Sequence, residues 1–117
     1  MEWFRFDERV GNPITEFGSD FIMSKIAITE EKTHITCMYL QVGGSIGYHP
    51  AVVNQLLLVV KGEGTVCGEE REFISISEGE AVFWNKGEKH ETRSEKGLTA
   101  IVIEGDGVTP DWMASPS

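Results

Sequence analysis

Glycine cuts the middle and later parts of this chain into short pieces. Gly43-Gly44, Gly62, Gly64, Gly68, Gly79, Gly87, Gly97, Gly105 and Gly107 recur at close intervals. Between them lie stretches rich in β-branched and aromatic side chains, which suit a pleated, half-buried surface. This pattern predicts strands at about Phe21–Ile28, Thr33–Val42, Asn54–Lys61, Gly64–Cys67, Glu70–Ile76, Ala81–Trp84, His90–Ser94 and Leu98–Glu104. No window carries the 3.6-residue apolar stripe of an amphipathic helix. Asn54–Val60 could pass for a buried helical piece, but it ends in Val59-Val60 and meets Gly62 too soon. Many short strands with turns every eight to twelve residues make a sandwich or a closed barrel, and the pattern alone does not choose between them.

At 117 residues the chain has room for one domain of ordinary size. The expected division is a β domain over residues 1–105 and a C-terminal tail over 106–117, where Gly107, Pro110 and Pro116 interrupt regular structure. The net charge is −9, from nineteen acidic against ten basic residues. Such a surface repels phosphate backbones and anionic lipid, which argues against nucleic acid and membranes as partners. The opening Met1-Glu2-Trp3-Phe4-Arg5-Phe6-Asp7 is charged at once and does not read as a signal segment. The longest apolar run, Leu56-Leu57-Leu58-Val59-Val60, is far short of a membrane span. Cys37 and Cys67 form no CxxC pair and read as reduced thiols, so the expected location is cytoplasmic.

The chemistry centres on the histidines, of which there are three: His34, His49 and His90. His49 follows a glycine turn and precedes Pro50, at the entrance to the Asn54–Lys61 strand. If the chain is extended there, alternation puts His49, Ala51, Val53 and Gln55 on one face. A second turn, Asn85-Lys86-Gly87-Glu88-Lys89, delivers His90 to the head of another strand. Two histidines at strand entrances can meet in the mouth of a barrel, where pockets tend to lie.

The spacing resembles the two motifs of the cupin superfamily. The first is G, five residues, H-x-H, three or four residues, E, six residues, G. This chain reads Gly43, five residues, His49-Pro50-Ala51, three residues, Gln55, six residues, Gly62. The second is G, five residues, P-x-G, two residues, H, three residues, N. Here it reads Gly79, five residues, Asn85-Lys86-Gly87, two residues, His90, three residues, Ser94. The register holds throughout both motifs. The resemblance implies an all-β fold, a single small antiparallel barrel or double-stranded β-helix of the jelly-roll type. It also implies a homodimer, since cupins pair through barrel faces or exchanged terminal strands. Trp3-Phe4 and Trp112-Met113 supply apolar segments at the two ends.

The departures bear on function. Metal-bearing cupins hold one divalent cation with three histidines and a glutamate, whereas this chain has Ala51 and Gln55 at two of those places. The metal set that the resemblance leaves is His49, Gln55 and His90. It would take zinc, nickel, iron, manganese or copper weakly, because no carboxylate offsets the cation's charge. Three readings stay open. One is a small-molecule-binding or enzymatic cupin with a weakly held divalent metal. Another is a metal-free pocket in which His49 or His90 serves as acid or base. The third is a binding or assembly module without catalysis. Elsewhere the structural role is the expected one: Tyr48 as a rim aromatic, Cys67 as a buried inert thiol, His34 at the surface. One of Phe83 and Trp84 is expected to face inward.

Overall fold

A computed structural model describes residues 1–113; the end of the expected tail, residues 114–117, lies outside them. Among the described residues ten strands carry the fold: β1 (Glu2–Arg5), β2 (Asn12–Ile14), β3 (Phe21–Met23), β4 (His34–Leu40), β5 (Ser45–Pro50), β6 (Gln55–Cys67), β7 (Ile74–Ser77), β8 (Glu80–Trp84), β9 (Lys89–Arg93) and β10 (Leu98–Glu104). Two single 3-10 turns, Glu8–Val10 and Glu16–Gly18, join the early strands. All pairings are antiparallel, as the all-β expectation requires.

Strand β6 organises the molecule. Its first half lies in the order β1-β8-β6-β10-β4, and its second half pairs with β7 and β9, while β9 also pairs with β5. The two groups face each other as a barrel whose rim is not closed by a continuous hydrogen-bond ladder. One strand can serve both because it bends. The register of β6 with β10 shifts at Thr99/Ala100, where Lys61 and Val59 are the partners and Val60 is the extra residue. Just beyond, Gly62 takes φ +84°, and a side chain there would collide with the Gly97 carbonyl oxygen. A side chain at Gly64 would meet the Arg93 carbonyl in the same way, so both glycines are required by close backbone approach.

The apolar run at the start of β6 follows from its position. Leu57 and Val59 face into the barrel with Val66, Val82, Trp84, Leu98, Ala100 and Val102. Leu56 and Leu58 face the opposite way, against Ala81, Phe83, Val108 and Met113. A strand covered on both faces has no polar side to alternate with. Phe4, Phe6, Ile26, Ala27, Ile101 and Ile103 pack onto this second cluster. Val108 and Met113, from the segment after β10, are buried in it.

Several strands differ from their expected bounds. β10 matches. The expected Asn54–Lys61 and Gly64–Cys67 are one bent strand, Gln55–Cys67. The strand expected from Glu70 starts at Ile74, because a turn at Glu69-Glu70 and the left-handed backbone of Arg71 at φ +57° interrupt the extended run. That expected at Phe21–Ile28 stops at Met23. Ser45–Pro50 is a strand that is not among those expected from the sequence.

Candidate functional site

His49 and His90 are register partners, on neighbouring strands β5 and β9. Their ring centroids lie 4.5 Å apart at an interplanar angle of 52°. A bulge makes this possible. Ile46 pairs with Thr92 and His49 with His90, so Gly47 and Tyr48 stand opposite Glu91 alone. Ile46 packs against the inner cluster. Strict alternation would then send His49 to the other face, and the extra residue restores it to the face of His90. Tyr48 goes outward: its hydroxyl donates to the Glu69 carbonyl at 3.2 Å, and the Arg71 guanidinium sits 4.3 Å from its ring centroid.

The two imidazoles are oriented alike. His49 Nδ1 lies 2.6 Å from the Gly47 carbonyl oxygen, and His90 Nδ1 lies 3.1 Å from that of Glu88. A carbonyl only accepts, so Nδ1 carries the proton in each neutral ring and Nε2 presents a lone pair. Their surroundings differ. His49 is exposed. His90 is 1% exposed and stacks on Trp84, with ring centroids 4.4 Å apart, and its Nε2 finds no partner among the described residues. Burial lowers the His90 pKa below the ordinary 6.5; the Glu88 carbonyl opposes this, and the charge of His49 adds to it.

Gln55 opens β6 opposite Trp84 in the register and is buried. The extended run from His49 to Gln55 that the sequence predicts is not present: β5 ends at Pro50, a turn spans Ala51–Asn54, and β6 begins at Gln55. Ala51 is 3% exposed and tied to the neighbouring turn, donating from its nitrogen to the Glu88 carbonyl at 2.9 Å and accepting from Gly87 at 2.7 Å. Asn54 pins the same end. Its amide accepts from Lys86 at 2.9 Å and donates to the Val108 carbonyl at 3.1 Å.

Of the two candidate inward aromatics, Trp84 is the one in the barrel and Phe83 belongs to the outer cluster. Cys67 pairs with Glu91, the neighbour of His90, and so takes the face opposite the imidazoles. Burial pushes its thiol pKa up. His34 sits exposed on β4, in register with Glu104. Thr92 was missed by the sequence reading. It lies two residues along β9 from His90, is buried, and its hydroxyl has no partner among the described residues. Only its even spacing from His90 marked it.

Among the described residues no group of three or more histidine, cysteine, aspartate or glutamate side chains is arranged to hold a metal ion. None of the cavities described there is lined by His49, Gln55 or His90. The most voluminous, about 770 Å³, is at the opposite end of the barrel, beside Lys61, Gly62, Lys96 and Gly97. No helix among these residues is long and apolar enough to cross a membrane.

A family model described as Cupin domain matches residues 36–107. A search of curated proteins returns no match. Solved structures of similar fold include a cupin superfamily protein from Desulfitobacterium hafniense, 13% identical with a TM-score of 0.59, covering 70% of this chain and 74% of that one. A conserved protein with a double-stranded β-helix domain from Klebsiella pneumoniae is 12% identical with a TM-score of 0.60, over 73% and 76% of the two chains. A Neisseria meningitidis protein is 27% identical with a TM-score of 0.55, over 67% and 78%.

Proposed function

Because the chain belongs to the cupin family, we propose that it binds a small molecule at the His49–His90 end of the barrel and holds a divalent metal there only weakly. The observation that carries this reading is the bulge in β5, which turns His49 toward His90. A bulge beside a pair of convergent imidazoles is a device for aiming a side chain.

The residues fit a metal in part. The unpartnered, buried Nε2 of His90 is a prepared donor, and both rings are fixed through Nδ1 by backbone carbonyls. Gln55 at the same end adds a neutral amide. Ala51 withholds a third imidazole, and no carboxylate offsets the charge. Zinc, nickel, iron, manganese or copper held by His49, Gln55 and His90 would act as a Lewis acid on a ligand oxygen. The chain's own part is to accept a hydrogen bond at His90 Nε2, with an imidazole that burial keeps neutral at pH 7. Two free thiols suit a reducing, cytoplasmic setting.

A metal-free binding or assembly module without catalysis is the second reading. It is favoured by the closed mouth: Trp84, His90 and Ala51 are at most 3% exposed.

Calorimetric titration with nickel or zinc separates the two. The native protein should bind weakly, and more tightly at pH 8 than at pH 6, because the ligands must be free of protons. Ala51→His with Gln55→Glu should raise affinity sharply, and His90→Ala in that background should reverse most of the gain. If the restored protein folds and binds no better than the native chain, positions 49, 51, 55 and 90 do not converge on a metal and the assignment is wrong.

A further inference from the structure

A groove of about 770 Å³ lies at the end of the barrel away from the histidines, a volume in the range of small-molecule sites. It opens where β6 bends at Gly62, beside the turns that follow β4, β7 and β9. A second bulge decides what faces it. Leu57 and Val59 point into the barrel, and counting on by twos would send Lys61 after them into an apolar core. Val60 is the extra residue in the register with β10, and it sets Lys61 beside Thr99 instead. Thr99 shares the outer face of β10 with Ile101 and Ile103, and its partner on β4 is Tyr39. One cross-strand row therefore carries an ammonium, a hydroxyl and a phenol ring that is 69% exposed. Leu40 and Leu98, both buried, line the same groove.

We propose that this groove binds a small organic monoanion, a single carboxylate on an apolar ring, independently of any metal at the histidine end. Lys61 and Thr99 take the carboxylate, and the ring lies against Tyr39. Charge sets the class of ligand. Two lysines and two glutamates line the groove, and three of the four are engaged within it. Glu78 accepts from the Gly62 nitrogen at 3.2 Å and so holds the bend, while Lys96 meets Glu63 at 3.1 Å. Lys61 has no carboxylate partner among the described residues. The unmatched charge is thus one positive charge, in a chain whose net charge of −9 otherwise repels anions. An inorganic dianion such as phosphate would bring a second charge against Glu63 and Glu78 and leave the tyrosine and leucines without a partner. A cation would meet both ammonium groups.

Benzoate is the probe, titrated at neutral pH into the nitrogen-15-labelled native protein without added metal. The amide signals of Gly62, Gly97 and Thr99 should move and that of His90 should not, with a Kd on the order of 1 mM. Benzylamine, which keeps the ring and reverses the charge, should bind far more weakly, as should inorganic phosphate. Lys61→Gln should weaken benzoate about tenfold, the usual share of one charge-assisted hydrogen bond. Tyr39→Ala should weaken it about threefold through the lost ring contact. Both side chains are exposed, so the circular dichroism spectrum should be unchanged. Lys86→Gln removes the same charge from an exposed position at the other end of the barrel and should leave the Kd as it was. No shift at those three amides at ten times the expected Kd, an undiminished affinity in Lys61→Gln, or equal binding of benzylamine or phosphate would overturn the proposal.

Discussion

The two histidine-bearing segments, Gly43–Gly62 and Gly79–Ser94, contribute one imidazole each to the same end of the barrel, and they are built differently. In the later segment, β8 and β9 are regular, and His90 is enclosed: it stacks on Trp84 and is 1% exposed. In the earlier segment β5 is bulged, a turn separates it from β6, and His49 is exposed. The same local device orients both rings, an Nδ1–H donated to the carbonyl two residues before. The contrast assigns a division of labour. His90 is part of the core and its chemistry is constrained by packing; His49 is held by one local bond and a bulge. Substitutions in the later segment should thus act first on stability, and those in the earlier one on binding.

Trp84 gives the largest expected effect. It is fully buried, belongs to the inner cluster and forms one wall of the His90 environment. Trp84→Ala should cost about 3–5 kcal/mol, from lost transfer energy and the cavity left behind. His49→Ala, at an exposed position, should cost well under that. Urea denaturation of both variants checks the comparison. Similar losses for the two would show that the bulged segment is as integral to the core as the regular one.

A smaller effect is expected with pH. His90 is held below the ordinary 6.5 mainly by burial, with Glu88 opposing and His49 adding. Well above 6.5 both folded and unfolded chains carry a neutral ring, and the titration of His90 adds no pH dependence to stability. As pH falls below 6.5 the unfolded chain takes up a proton that the folded one refuses. Stability then declines until the pH reaches the lowered folded value. Denaturation midpoints measured between pH 8 and pH 5 should fall on the acid side of 6.5. His90→Gln should remove that part of the decline, and His49→Gln should only reduce it, since His49 contributes the lesser share of the two downward influences. An undiminished decline in His90→Gln would mean that the buried ring is not the group responsible.

The part of this arrangement that was legible in the sequence is the part set by spacing. Glycines and β-branched stretches fixed the all-β class, and β10 has the bounds read from its β-branched run between Gly97 and Gly105. The meeting of His49 and His90 was legible from their places at two strand entrances and from the family pattern, but not from alternation, which misleads at this site. Counting by twos from His49 to Gln55 assumes an extended chain, and residues 51–54 turn instead. A bulge at Gly47-Tyr48 leaves no local signature beyond the glycine, since its cause is the cross-strand match of Ile46 with Thr92 and of His49 with His90. β1 escaped notice for a related reason: four residues with mixed charge become a strand by pairing with β8, some eighty positions away. Which of Phe83 and Trp84 faces inward depends on the phase of β8 against β6, again a non-local match.

Thr92 offers the smallest effect and tests whether the later segment is polar for stability or for a ligand. Its side chain is on the His90 face of β9, and its hydroxyl is buried without a partner among the described residues. Burying a hydroxyl that makes no hydrogen bond is unfavourable, and Thr92→Val replaces it with a methyl group of nearly the same shape. If the barrel interior around it is dry, the variant should be more stable by up to about 1 kcal/mol, since an unmet polar group has been removed. A loss of stability would instead mean that the hydroxyl bonds to water inside the barrel. The enclosed segment would then be wetter than its packing suggests, and its contrast with the His49 side correspondingly weaker. Denaturant titration at pH 8, where His90 is neutral in both states, isolates the effect.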